Sequence, residues 1–380
     1  MNELEPSYIS KINFKNYKSI RDLTIDLHSG LNLIIGQNSS GKTNFVQAVH
    51  NVLSESGHHE LPIGFEFGFE WIANNTSVKT KWTGSIQEIV NGKKIRVYKS
   101  NLEVGDEKIV KESFFHPDIM SKLPFVEHIL VSFALPIELL YLKKMNSFFF
   151  NPTEVPDENG IFYLYCNLED ELGYFNSFAL KLESHKRFPY GKSVLKKIIN
   201  NIKVNDELKW HLKRFSPIKD CRLAIGYTIE TRGEGFIIKN VILEFFVNNN
   251  WYSWEQLSDG TKRLFYIIAQ TINNQSFVII EEPELGLHPD QLFGIMDFLS
   301  AQSENKQIIV TTHSPDVLNI LEKEELHKII VTRFDNKKGT WMQHLSPKKM
   351  EKAYRYIHTE GLELKDFWLH SNLEELDEAE

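Results

Sequence analysis

Cysteine is almost absent from this sequence: Cys166 and Cys221 stand far apart and form no Cys-x-x-Cys pair. That excludes a disulfide framework and a thiolate zinc site, and leaves two inert core thiols. Long apolar runs are missing too. No stretch approaches the roughly 18 to 20 uncharged residues of a membrane span. The start, Met1-Asn2-Glu3-Leu4-Glu5, lacks the basic-then-apolar order of a secretory leader. A cytoplasmic location without membrane contact is the expectation. Positive charge is in deficit, with 43 Lys and Arg against 51 Asp and Glu. The resulting net charge of −8 argues against a protein that coats nucleic acid with its whole surface. Internal repeats and low-complexity segments are lacking as well.

What is present suffices for a large core: 42% of the 380 residues are hydrophobic and 25% charged, enough for one large domain with a substantial insertion. From Tyr8 to Asp26 apolar and polar residues alternate, which predicts two short strands. Leu31 to Ile35 reads as a buried strand that stops at Gly36, and Phe45, Val46, Val49 and Leu53 then mark one face of a helix. Residues 63–109 read as antiparallel strands, with turns at Asn91-Gly92 and Gly105-Asp106. Residues 112–215 are expected to be mainly helical. Strands return over 221–251, a helix follows Gly260, and the buried runs 277–280 and 307–310 flank a helix over 290–301. Such alternation predicts a parallel α/β sheet. The expected organisation is an N-terminal lobe at 1–110, a mainly helical insertion at 111–220, a C-terminal lobe at 221–345 and a helical segment with an acidic tail at 346–380.

Gly36-Gln37-Asn38-Ser39-Ser40-Gly41-Lys42-Thr43 fits G-x-x-x-x-G-K-[ST] in full, between a predicted strand and a predicted helix. In that setting the glycines let backbone N–H groups wrap phosphates at the positive end of a helix, Lys42 neutralises phosphate oxygens and Thr43 ligates Mg²⁺. Such a loop needs a carboxylate at the end of a neighbouring strand, and Glu281 follows the run Phe277 to Ile280. Glu281 is assigned to the magnesium shell, through a bound water, and Glu282 to the general base that polarises the attacking water. Leu257-Ser258-Asp259-Gly260 precedes a helix and reads, taken alone, as an N-cap. His313 follows the strand that ends in Thr311-Thr312.

Together GQNSSGKT, LSDGTKR, IIEEPELGLHP and TTHSP resemble the ABC-class ATPases filed under a broad AAA label. That group includes RecF, the SMC-type recombination ATPases and the ATPase half of the OLD-family nucleases. The likeness is specific over about 13–54 and 251–320, a third of the chain, and Glu281-Glu282-Pro283-Glu284 with Leu287-His288-Pro289 is nearest the OLD and related phage-defence ATPases. It implies an ABC-type P-loop head of α/β class, with a mixed sheet, an antiparallel β subdomain and the helical insertion. It also implies a homodimer that sandwiches ATP, in which Ser258, Asp259 and Gly260 complete the partner's site and His313 contacts the γ-phosphate as a switch histidine. Gln87 is a candidate for the glutamine that links such a head to its insertion. Two departures narrow the role. The insert lacks the heptads of an SMC coiled coil, and the 67 residues after His313 are too few for the Toprim nuclease of the OLD enzymes.

Two functions follow. The first is an ATP-dependent switch or sensor that works with a separately encoded effector, a nuclease or toxin, in anti-phage defence. The second is a RecF-like DNA-binding ATPase of repair or recombination, resting on the basic run between Lys181 and Arg222, which a solvated helix face also explains. A transporter's ATPase subunit is disfavoured because more than 200 residues separate Thr43 from Ser258.

Overall fold

The computed structural model describes residues 8–53, 60–72, 79–90, 94–114, 116–120, 129–130, 150–152, 163–167, 178–183, 202–204, 206–223, 228–232, 235–241, 243–272, 277–321, 323–361 and 363–370. They divide into two compact units. The first comprises Met1–Phe133, Asn274–Glu284 and Met296–Glu380; the second comprises Ala134–Asn273 and Leu285–Ile295.

The first unit is built on a twelve-stranded sheet. Its strands are β1 (Tyr8–Tyr17), β2 (Ile20–Asp26), β3 (Leu31–Ile35), β4 (Glu66–Ile72), β5 (Lys79–Val90), β6 (Lys94–Val104), β7 (Glu107–Lys111), β8 (Ile129–Leu130), β9 (Phe277–Glu281), β10 (Gln307–Thr312), β11 (Ile329–Asp335) and β12 (Gly339–His344). They lie side by side in the order β7-β6-β5-β4-β1-β2-β12-β11-β3-β10-β9-β8. Among the described residues the α-helices are α1 (Lys42–Leu53), α2 (Pro117–Met120), α3 (Asp206–Phe215), α4 (Asp259–Ile272), α5 (Pro289–Gln302), α6 (Pro347–Glu360) and α7 (Leu364–His370).

Period-two alternation shapes the antiparallel half of this sheet. Phe14, Phe67, Phe69 and Trp82 are buried on one face, where their rings meet at 4.9–6.0 Å. Phe45 of α1 reaches the same cluster through Phe14. The opposite face carries paired charges, Lys11 with Asp26, Lys15 with Asp22 and Lys81 with Glu70. A face whose lysines are matched by carboxylates stays wet without becoming basic.

The parallel half obeys a different rule. Every residue of β3, β9 and β10 is buried, as strands covered on both faces require. Strand β3 sits between β10 and β11, parallel to both, and β9 pairs with β10 so that Glu281 stands opposite Thr311. The carboxyl ends of β3, β9 and β10 therefore come out together, where open α/β sheets bind ligands. At the other end of β10 the buried Gln307 amide accepts from Ile9 N at 2.9 Å and donates to Ile9 O at 2.8 Å and to His28 O at 2.9 Å. The His28 ring packs edge-on against His327 at 4.7 Å and His344 at 5.1 Å. Burial, followed by these two imidazoles, holds the His28 pKa below the usual histidine value.

In the second unit the strands are antiparallel. Tyr163–Asn167, Phe178–Glu183, Gly235–Val241 and Thr228–Arg232 form one sheet and Asp220–Leu223, Leu243–Val247 and Asn250–Ser253 another, while Phe150–Pro152 pairs with Ile202–Val204. Phe245, Trp254 and Phe265 of α4 form a buried aromatic triangle. Cys221 is a buried free thiol whose pKa burial pushes up to about 12, well above that of a reactive cysteine.

Most of the expected helical insertion lies outside the described residues, and the part that is described is mixed. Among the described residues between 111 and 220, α2 and α3 are helical, but five segments from Ile129 to Val204 are strands. The reason is visible in Phe178-Ala-Leu-Lys-Leu-Glu183, which alternates with the period of a strand. The Gly105-Asp106 turn joins β6 to β7, with Gly105 at φ 57°. Asn91-Gly92, the basic residues Lys186, Arg187, Lys192, Lys196 and Lys197, and the acidic tail lie outside the described residues.

Candidate functional site

The segment after β3 wraps tightly because its neighbours leave no room for side chains. A Cβ at Gly36 would lie 2.3 Å from Thr332 O, and one at Gly41 would lie 1.9 Å from Thr340 Oγ1. Gly41 also adopts φ +102°, and Ser39 stands at φ 65°, in the left-handed region where L residues are strained. The backbone of 36–41 thus curls back on itself and enters α1 at Lys42. The Lys42 ammonium is drawn over the loop, donating to Gly36 O at 2.7 Å and Gln37 O at 3.0 Å. Gln37, Asn38, Ser39 and Thr43 remain exposed. A cavity of about 370 Å³ opens here, lined by Ser19, residues 38–44, Glu282 and Phe334.

At the end of β9 the two glutamates part company. Glu281 keeps the strand's conformation, is 5% exposed, and its carboxylate accepts a hydrogen bond from the Thr43 hydroxyl. Glu282 turns into the left-handed region at φ 46°, while its N–H still donates to Thr311 O at 2.7 Å. That turn carries the Glu282 side chain to the cavity wall. At the end of β10, His313 Nδ1 faces Glu284 Oε1 at 3.2 Å and Glu282 Oε1 at 3.5 Å. Glu284, whose side chain is 9% exposed, is the hub of this cluster: Oε1 also accepts from Thr312 Oγ1 at 2.6 Å and from His313 N at 3.1 Å. The two carboxylates on Nδ1 hold the imidazole ring in place.

Comparison with known proteins identifies the family and the fold. A family model described as "AAA domain" matches residues 11–219, more than half of the chain. This chain belongs to the AAA-domain family. It is an ATPase of the ABC-class AAA/RecF/SMC group. Another AAA-domain model, described as "AAA domain, putative AbiEii toxin, Type IV TA system", matches 151–319. The AAA-domain chain is 21% identical over 347 residues to an ATP/GTP phosphatase of Helicobacter pylori, covering 83% of this chain and 88% of that one. Likeness to the DNA replication and repair protein RecF of Lactococcus lactis is confined to 50 residues at 38% identity, 13% of this chain and 14% of RecF. Among solved structures, the Smc head domain of Pyrococcus furiosus, bound to the C-terminal domain of ScpA, superposes with a TM-score of 0.53 over 92% of this chain and 99% of that one, at 14% identity. The shared fold is that of an ATPase head.

In this AAA-domain protein the P-loop, Glu281, Glu282 and His313 meet at one edge of the first unit. Ser258, Asp259 and Gly260 belong to the second. There Ser258 caps α4: its Oγ accepts from Thr261 N at 3.3 Å and lies 2.8 Å from Thr261 Oγ1. The N-cap expected of the isolated tetrapeptide is therefore present, and Ser258 and Asp259 stay exposed at the helix end. Gln87 lies exposed on β5. Three residues of the site carry no individual signal in sequence. Glu284 sits in the acidic motif without a role attached to it, and Ser19 and Thr340, whose hydroxyls meet at 2.7 Å beneath the loop, are 321 positions apart.

Proposed function

We propose that this AAA-domain ATPase is a Mg²⁺-dependent nucleotide switch that closes in pairs on ATP and works with a separately encoded effector, a nuclease or toxin, in bacterial anti-phage defence. One observation carries the hydrolytic part of this reading: the carboxylates of Glu281 and Glu282 leave a single strand end in different directions, one toward the Thr43 hydroxyl and one toward the cavity. The first pair offers oxygen ligands alone, the donor set that suits Mg²⁺; Thr43 would hold the ion directly and Glu281 through a bound water. When bound, the ion neutralises charge building on the phosphate oxygens. The chain supplies the rest. Backbone N–H groups of the curled loop cradle the phosphates, and the Lys42 ammonium exchanges the Gly36 and Gln37 carbonyls for phosphate oxygens. Glu282 takes the proton of the attacking water as its oxygen approaches phosphorus. His313, held by Glu284, contacts the γ-phosphate. Ser258 and Asp259, exposed at the start of α4, serve the partner's nucleotide together with Gly260, since the head of a helix favours anions.

The effector reading draws on the toxin-system description attached to residues 151–319. A DNA-directed role draws on the RecF likeness. Within the basic run, however, Lys209 is paired with Asp220 and Arg222 with Glu244, each at 2.9 Å, and both are thereby less available to phosphates. Glu282→Gln is expected to bind ATP normally and to hydrolyse it at least ~100-fold more slowly, because the cradle stays and the base goes. Purified from its native host with ATP and Mg²⁺, this variant should retain a stoichiometric second protein that wild type releases on hydrolysis. Nucleic acid retained without a protein partner would instead support the DNA role, and undiminished turnover would sink the assignment of Glu282.

A further inference from the structure

The rim of the nucleotide cavity carries a side chain that phosphate chemistry does not use. Phe334 is 48% exposed, and it lines the same cavity as residues 38–44. Strand register explains how it gets there. Val331 of β11 pairs with Ile35, the last residue of β3, so β11 runs on past the end of its neighbour, alongside the P-loop. Thr332 O comes against Gly36. Two residues further along the same face stands Phe334. Opposite it on β12 is Thr340, which packs against Gly41. Thr332 and Thr340 are fully buried under the two glycines. Phe334, next in that row, emerges at the edge.

From these observations we infer that Phe334 is the platform on which the nucleobase stacks, and that the base is held by its face and not read by its edge. The polar side chains on that side of the cavity are already bonded to one another. Asn44 Nδ2 donates to Ser19 Oγ at 2.6 Å, and Ser19 Oγ lies 2.7 Å from Thr340 Oγ1. Beside them Phe334 offers a base an aromatic surface, and aromatic stacking is tolerant because every base has a π-face. The cavity, about 370 Å³, is within the range of small-molecule sites. Purine triphosphates should therefore be accepted with little distinction between adenine and guanine.

This inference rests on the reading of the P-loop as the triphosphate cradle, and the test separates the two. Affinities for ATP, GTP and inorganic tripolyphosphate are measured on wild type, Phe334→Ala and Phe334→Trp. The exposed position makes both variants compatible with folding. Phe334→Ala should weaken ATP and GTP alike, by roughly 5- to 100-fold, and leave tripolyphosphate unchanged. Phe334→Trp should restore both nucleotides, and its added indole emission should respond to ATP and GTP but not to tripolyphosphate. Unchanged nucleotide affinity in Phe334→Ala, an equal loss for tripolyphosphate, or a loss for one nucleotide only would overturn the platform while leaving the cradle intact. Wild type that binds none of the three would overturn the cradle, and the platform with it.

Discussion

Glu282 and Glu284 stand two positions apart and have different chemical lives. Glu282 is lifted out of the strand by a positive φ, a conformation that costs a non-glycine residue about 1 kcal/mol or more, and it meets the cavity. Glu284, its side chain 9% exposed, spends one oxygen on Thr312, the His313 N–H and the His313 ring. It is a positioning residue. Glu284→Gln preserves an acceptor for Thr312 but removes the charge that fixes the imidazole. Turnover should fall roughly 10- to 100-fold, the usual cost of removing an orienting partner, with ATP affinity nearly unchanged and the pH–rate profile displaced. A parallel fall in affinity, or an unmoved pH profile, would assign Glu284 to the fold alone.

Elements differ in how openly the sequence declares them. Strands β3, β9 and β10 are legible because full burial demands unbroken apolar runs, and each ends on a motif whose chemistry requires a strand there. The hairpin of β11 and β12 is not. Ile329-Ile330-Val331 is as apolar as β9, but no motif follows it, and Trp341-Met342-Gln343-His344 has no clean alternation. Phe334, Thr340 and their relation to the P-loop depend on that hairpin, so this wall of the site is invisible without register. The described strands within 111–220 are hard to read for another reason, since they are short and most of their neighbours in sequence carry mixed apolar residues. The loop after β2 offers a test at this scale. His28 is held below the usual histidine pKa, so its contribution to stability is present above that ordinary value, 6.5, and is lost as pH falls through the folded-state value. The charges facing it are His327, His344, Lys328 and Asp26. In chemical denaturation, His28→Leu should flatten the loss of stability that wild type shows between about pH 7 and 5; an identical acid limb in both proteins would argue against it.

At the scale of the whole molecule, the proposed closure in pairs on ATP can be tested by complementation. Ser258→Asp keeps an N-cap for α4 but places a carboxylate where the partner's γ-phosphate would lie. It should bind ATP and lose turnover. Mixing it with Lys42→Ala, equally inactive, should recover activity up to about a quarter of wild type if pairs form at random and each mixed pair holds one intact site. No recovery on mixing would point to sites that work alone. The sheet order has a further bearing on how the protein is made. Strand β3 has β10 on one side and β11 on the other, so both its neighbours are encoded in the last quarter of the chain. At roughly 5–20 residues per second, a ribosome keeps that strand waiting on the order of tens of seconds. During this interval Leu-Asn-Leu-Ile-Ile is an uncharged, β-prone segment with two open edges. Yield in a foreign host will therefore depend on chaperone supply and growth temperature, and the P-loop, which hangs from the end of β3, will be among the last parts of the newborn chain to become able to hold nucleotide.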